Sequence, residues 1–289
     1  MANNQPQSAT LLIHCPDRKG LVATVTEFIH KNNGNVLDLD QHVDAERGIF
    51  FMRIKWNLDG FEIPKEKIGE FFRVLIGDRF AMKWKLYFSG DRPRMAIFVS
   101  KLPHCLYDLL SRWHSGEWQV DVPVVVSNHP DLEAVACQFD VPFRVFPVTS
   151  KNKEEQEAEQ IALLKDLNVT VIALARYMQI LSEDFVSHFR HRIINIHHSF
   201  LPAFPGAKPY HSAHERGVKV IGATSHYVTE ELDGGPIISQ DVAHVSHRDT
   251  VADLVRKGRD LEKIVLARAI WQHLQRRVLV YENRTVVFD

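Results

Sequence analysis

The sequence predicts a two-part α/β chain: an N-terminal ferredoxin-like α+β domain over residues 9–88, then a doubly wound, mostly parallel α/β domain over residues 95–289. Three observations carry that expectation. The first ninety residues run strand, helix, strand, strand, helix, strand, the ferredoxin-like order. Residues 89–94, Ser-Gly-Asp-Arg-Pro-Arg, are polar with Gly and Pro between two strand patterns and read as a linker. From Met95 onward, short apolar runs alternate with helical patterns, as in a parallel sheet with helices on both faces. The chain has 289 residues, 45% of them hydrophobic and 25% charged, so two cores of ordinary composition are within reach.

Each element has a local cause. Residues 9–15 form a short apolar strand that Pro16-Asp17 stops, and the apolar residues of 20–29 fall at helical spacing with Gly34 in the C-cap position. Residues 35–43 and 49–56 read as strands joined by the Ala45-Glu46-Arg47-Gly48 turn. A helical pattern over 64–80 and an alternating strand over 82–88 complete the unit. In the second part, strands are expected at 95–99, 122–127, 145–148, 169–175 and 192–197. Helices are expected near 106–113, 131–139, 153–167 and 182–189. Residues 237–245 then read as a strand, 250–275 as a long amphipathic helix capped by Asp249, and 278–288 as a hairpin around Glu282-Asn283-Arg284.

Composition removes several classes of function. A net charge of −1, with basic residues scattered among acids, leaves no electrostatic footprint for nucleic acid or for an anionic membrane. No stretch approaches the apolar length of a membrane span, and residues 1–8 lack both a basic start and an apolar run, so a cytoplasmic protein is expected. Cys15, Cys105 and Cys137 are odd in number and widely spaced, which points to free, mostly buried thiols. Sixteen histidines raise a metal site, with His211 and His214 three apart and His226 further on. Yet no H-E-x-x-H or C-x-x-C spacing occurs, and His197 and His198, adjacent in a strand, should point to opposite faces. No metal and no tightly bound cofactor are expected.

The chemistry concentrates in two segments. Asn195-Ile196-His197-His198-Ser199-Phe200-Leu201-Pro202 reads as a strand entering a Pro-rich loop that Phe204-Pro205-Gly206 keeps irregular. Alternation puts Asn195 and His197 on one side of that strand, where an amide and an imidazole can both donate to a substrate oxygen. Gly222-Ala223-Thr224 leads on to Leu232-Asp233-Gly234-Gly235-Pro236-Ile237-Ile238, where glycines bring Asp233 close to a reacting centre. A carboxylate there can take a proton from an attacking water or amine. Asp233, His197 and Asn195 are therefore the candidate catalytic residues.

The pattern N-x-H-x-S-x-L-P, then G-x-T-x-H-x-V, then D-x-G-x-I-I resembles the folate-dependent formyltransferase family, which uses 10-formyltetrahydrofolate. The run from Asn195 to Asp241, the segment 175–181 and the Asn283-Arg284-Thr285 turn look closer to its deformylase branch, which gives the formyl group to water. The resemblance implies hydrolysis to formate and tetrahydrofolate, with a place in purine and one-carbon metabolism. It also implies folate contacts from Tyr177, Met178, Gln179, Ile180, Leu181, Val228, Thr229 and Glu230. Relatives that formylate a phosphorylated amine carry a Gly-rich turn after the first strand of this domain. Here Ser100-Lys101-Leu102-Pro103-His104-Cys105 follows, with no glycine and with a Pro that offers no N–H, although Lys101 or His104 could still hold an anion. Relatives that act on an initiator transfer RNA carry a further C-terminal domain and a basic surface, and this chain ends soon after its hairpin. Water is thus the expected acceptor. A formyltransferase to a small amine and a non-catalytic amino-acid and folate sensor are the alternatives.

The first unit, with Asp17-Arg18-Lys19-Gly20-Leu21-Val22 at its first strand-to-helix turn, resembles an ACT domain. That likeness implies an effector site at Asp17, Arg18, Gly20 and Leu21, for an amino acid such as glycine or methionine whose carboxylate would meet a helix N-terminus. Equally, Asp17 could merely cap the helix and the domain serve as oligomer glue; a homo-oligomer is expected either way.

Overall fold

The computed structural model describes residues 7–202 and 209–289, so Phe204-Pro205-Gly206 lies outside the described residues. Packing divides the chain into two compact units. The first takes the chain up to Arg92 together with Arg276–Leu279 and Val286–Asp289, and the second takes Pro93–Gln275 and Val280–Thr285.

The first unit contains β1 (Ser8–Pro16), α1 (Leu21–Lys31), β2 (Val36–Asp44), β3 (Ile49–Asn57), α2 (Ile68–Phe72) and β4 (Lys83–Phe88). Its sheet is antiparallel in the order β2-β3-β1-β4. β1 is central and nearly all buried, and α1 lays Leu21, Val25, Phe28 and Ile29 into a core that includes Leu11, Ile13, Trp56 and Phe72. Two local expectations are corrected. Residues 64–80 form a 3-10 turn at Lys65–Lys67, then α2, then a π-turn at Arg73–Gly77, not one regular helix. Gly69 and Gly77 lie against Trp84, a Cβ at either standing 3.3 or 3.0 Å from its ring, so packing under this indole overrides helix propensity. α1 ends with Asn32 as its cap and Asn33 in the left-handed region at φ 59°. Gly34 is needed for space instead, since a Cβ there would meet Ile29 Cγ2 at 2.5 Å.

The second unit runs β5 (Arg94–Val99), α3 (His104–His114), β6 (Asp121–Ser127), α4 (Glu133–Cys137), β7 (Phe143–Val145), α5 (Lys153–Asp166) and β8 (Val171–Leu174). It continues with α6 (Glu183–His188), β9 (Ile193–His197), α7 (Pro209–Arg216), β10 (Val220–Tyr227), β11 (Ile237–His244) and α8 (Val251–Leu274). The seven strands order as β11-β10-β9-β8-β5-β6-β7, parallel from β9 to β7 and antiparallel across β9-β10 and β10-β11. β7 pairs earlier than its apolar run suggests, because Pro147 has no N–H and pairing must finish before it. α8 begins at Thr250, whose hydroxyl accepts from Asp253 N at 3.2 Å while the Asp253 carboxylate accepts from Thr250 N at 3.0 Å, a reciprocal capping box. Asp249, expected as the cap, instead accepts from Ser246 N and pairs with Lys257 at 2.9 Å.

A closing hairpin, β12 (Val278–Tyr281) with β13 (Arg284–Val287), follows. Its residues Val280–Thr285 pack with the second unit, and Arg276–Leu279 and Val286–Asp289 with the first. In the first unit the Arg276 carbonyl accepts from Arg53 Nε at 3.0 Å and the Arg276 guanidinium lies 4.3 Å from the Tyr87 ring centroid. Among the described residues, no helix is long and apolar enough to cross a membrane.

Candidate functional site

The antiparallel pairing of β9 with β10 builds the site. It sets Asn195 opposite His226 and His197 opposite Thr224. Thr224 also fixes the loop that leaves β9: its hydroxyl donates to the Ser199 carbonyl at 2.9 Å and accepts from Leu201 N at 3.0 Å and from Gln240 Nε2 at 2.9 Å. Asp233 arrives from the turn between β10 and β11, in the left-handed region at φ 53°. The turn closes tightly because Gly235 follows, where a Cβ would stand 1.8 Å from the Tyr227 carbonyl oxygen. The C-terminal hairpin tip braces it, Asn283 Nδ2 donating to the Gly234 carbonyl at 2.8 Å and the Thr285 hydroxyl to the Ile237 carbonyl.

These elements bring four polar side chains together. Asp233 Oδ2 lies 3.1 Å from His197 Nδ1, and its Oδ1 lies 3.5 Å from His226 Nε2. Asn195 Nδ2 is 3.2 Å from His226 Nε2, and His226 Nδ1 is 3.0 Å from the Tyr227 carbonyl. That carbonyl requires a proton on Nδ1, so Nε2 accepts from the Asn195 amide in a neutral ring and donates to Asp233 in a charged one. Hydrogen bonds from His197 and then His226 hold the Asp233 carboxyl well below the usual carboxylate range, outweighing burial, so it stays ionised at neutral pH. His197 is buried, and its Nε2 has no hydrogen-bond partner among the described residues. A cavity of about 450 Å³ adjoins the group, lined by Leu201, Pro202, Asp233, Gly234, Asn283 and Arg284 among others.

His226 belongs to this group although only Asn195, His197 and Asp233 were expected in it. The signal lay in the G-x-T-x-H-x-V run, whose histidine falls opposite Asn195 once the two strands pair. A second expectation fails: the His197 and His198 rings stack, with centroids 5.0 Å apart and planes at 24°, and do not point to opposite faces. β9 ends at His197, so strand alternation does not reach the next residue.

The other candidates divide by exposure. Tyr177 is 6% exposed, its ring edge-on to Phe98 at 5.2 Å, and Leu181 and Val228 pack against the same core. Met178 and Ile180 are exposed, Gln179 and Thr229 are half-buried, and Glu230 is exposed. The segment thus shows Met178, Gln179 and Ile180 at its surface, while Tyr177 fixes it from the core. Ser100 assists, its hydroxyl accepting from Met178 N at 3.0 Å. In the first unit, Asp17, Arg18, Gly20 and Leu21 border a cavity of about 490 Å³ together with Gln41 and Phe50. Gly20 is the N-cap of α1 at φ 89°, and Asp17 does not cap it by its side chain. His211 and His214 are both exposed on α7.

A further polar cluster surrounds Glu262, which is 2% exposed. Its carboxylate accepts from His104 Nε2 at 2.7 Å and from the Tyr210 hydroxyl at 2.9 Å, and Arg176 Nε stands 3.6 Å away. Burial pushes its carboxyl upward, but the His104 hydrogen bond, the Arg176 charge and the Tyr210 hydroxyl bring it below the ordinary value. His104, Cys105 and Glu262 have potential ligand atoms within 4.8 Å of one another. The Arg176 cation and the two hydrogen bonds already satisfy that carboxylate, and burial pushes the Cys105 thiol up, away from the thiolate a metal would need. The arrangement is a neutralised ion pair more than a cation site.

Comparison with known proteins gives consistent likenesses. Residues 93–270 match the family model described as formyl transferase, and residues 9–56 match the ACT domain model. A formyltetrahydrofolate deformylase of Synechocystis sp. is 54% identical over 284 residues, covering 98% of this chain and 99% of the relative. The crystal structure of a formyltetrahydrofolate deformylase from Pseudomonas syringae superposes with a TM-score of 0.95 at 47% identity, covering 100% of this chain and 96% of that one. A glycinamide ribonucleotide transformylase from Symbiobacterium toebii matches with a TM-score of 0.64 at 32% identity, covering 71% of this chain and 98% of that one.

Proposed function

The chain belongs to the formyltetrahydrofolate deformylase family, and on that premise we propose how its residues divide the work of hydrolysing 10-formyltetrahydrofolate to formate and tetrahydrofolate. The observation that carries the proposal is the ionised Asp233 bonded to His197 Nδ1, with His197 Nε2 buried and without a partner among the described residues. An Asp on Nδ1 keeps a proton on that nitrogen, which makes Nε2 an acceptor in the neutral ring and a donor in the charged one. In the charged form both nitrogens donate, and Nε2–H serves an oxyanion.

In the proposed step the formyl group lies between Asn195, His197 and Asp233, with the folate ring system against Met178, Gln179 and Ile180. A water held by Asp233 adds to the formyl carbon, and its oxygen forms the new C–O bond. The Asn195 amide and His197 Nε2–H donate to the oxygen that becomes negative, where preorganised donors act most strongly. The C–N10 bond then breaks, one proton ends on N10, and formate leaves. The hydrogen bonds that keep Asp233 ionised also weaken it as a base, so the water's proton passes on through Asp233 to the His226 imidazole or to solvent. These side chains supply donor and base, and the step uses no bound cofactor. The product formate would feed purine and one-carbon metabolism in the cytoplasm.

For the first unit, the cavity of about 490 Å³ beside Gly20 supports an amino-acid effector such as glycine or methionine, its carboxylate at the α1 N-terminus. The outer strands β2 and β4 of its sheet offer edges through which copies of the chain would pair.

The test is formate release by the purified chain in ¹⁸O-labelled water with no amine present. One labelled oxygen per formate and an equal amount of tetrahydrofolate are expected. Release only on addition of an amine would contradict the hydrolytic assignment.

A further inference from the structure

In a doubly wound sheet, ligands sit outside the carboxyl ends of the strands where the strand order reverses. Here that place lies beyond β5 and β8, parallel neighbours with Phe98 beside Leu174, since β6 and β7 continue on the other side of β5. The chain fills the place with its own side chains. His104 begins the helix after β5, Arg176 follows β8, and both converge on Glu262 of α8, which also accepts from Tyr210 of α7. Gly258, one turn earlier on α8, makes the room, because a Cβ there would stand 2.0 Å from the Tyr210 hydroxyl. One buried carboxylate thereby ties three segments together. The filling also reaches the reacting group: the Tyr210 ring lies 6.4 Å from that of His198, which stacks on His197.

We propose that the His104, Arg176, Tyr210 and Glu262 cluster occupies the compartment a second, amine-bearing substrate needs, and so restricts the formyl acceptor to water. The inference rests on the hydrolytic reading above and adds the cause of its selectivity. Water needs no compartment beyond the space at Asp233. A primary amine must bring its carbon substituent along, and the space this substituent requires beside His198 holds the Tyr210 ring. With that ring removed, an amine nitrogen reaches the formyl carbon. The C–N bond to the amine forms as the bond to N10 breaks, a proton moves from the amine to N10, and the products are a formamide and tetrahydrofolate.

The experiment supplies 10-formyltetrahydrofolate and increasing glycinamide to the parent protein, Tyr210→Ala and Tyr210→Phe, and measures formate and N-formylglycinamide together. The parent and Tyr210→Phe, which keeps the ring, are expected to give formate alone at a rate independent of glycinamide. Tyr210→Ala is expected to shift the product ratio about ten- to hundredfold toward N-formylglycinamide, saturably, the range that pocket shape commands. A folded Tyr210→Ala that releases formate with the parent's product ratio would overturn the proposal. So would saturable formylation of glycinamide by the parent itself, a result that needs no variant to fold. Failure of the parent to release any formate would instead remove the hydrolytic reading beneath it.

Discussion

Two carboxylates of the second unit keep similar company and differ in access. Asp233 touches two imidazoles, borders a cavity of about 450 Å³ and leaves 27% of its side chain exposed. Glu262 touches an imidazole, a phenol and a guanidinium, and its side chain is 2% exposed. Neighbours alone therefore do not make a reactive centre. What separates the two is access to space: the Asp233 carboxylate borders a cavity, whereas both Glu262 oxygens are consumed by the chain. Backbone tells the same story. Asp233 is carried on a left-handed residue in a glycine turn, a conformation that the surrounding structure must hold in place, and Glu262 sits within a regular helix.

The largest expected effect breaks the sealed member. Glu262→Ala leaves Arg176 and His104 without their carboxylate and should destabilise the chain by about 3–5 kcal/mol, read from the denaturant midpoint. At the open member, His197→Ala removes the proposed donor to the oxyanion and should lower the turnover number roughly 10²- to 10³-fold, measured as formate release. Asn283→Ala sharpens the comparison by loosening only the brace on the Asp233 turn. A loss of roughly two- to tenfold in turnover with little change in the KM for folate is expected from one hydrogen bond of ordinary strength. The smallest effect concerns acidity. The depressed Asp233 pKa contributes stability above the unfolded value near 3.9, and that contribution fades as pH falls toward the lower folded value. Partial exposure keeps it modest. Acid unfolding scans of the parent and of Asp233→Asn should therefore draw together progressively as the pH falls from about 4 toward the lower folded value.

Much of the fold was legible in the residues because its signals are local. Alternation and turn chemistry located the strands of both units, and the amphipathic patterns located most helices. The departures come from tertiary demands that no window reveals. Trp84 reshapes the 65–77 stretch, and Pro147 moves the end of β7. At the site, Asn195 and His197 were readable from strand alternation and Asp233 from its glycine turn. His226 was visible as a motif residue, but its role required knowing which residue it faces across β9 and β10. Glu262 was unreadable: a glutamate inside a charged amphipathic helix carries no sign of burial until His104, Arg176 and Tyr210 arrive from three distant segments.

The central claim is that the open carboxylate drives water onto the formyl carbon, and Asp233→Asn tests it most directly. In single-turnover formate release at neutral pH, with folate binding measured separately, the account predicts a rate lowered roughly 10²- to 10⁴-fold while the folate still binds. A folded Asp233→Asn that releases formate within a few-fold of the parent rate would contradict it.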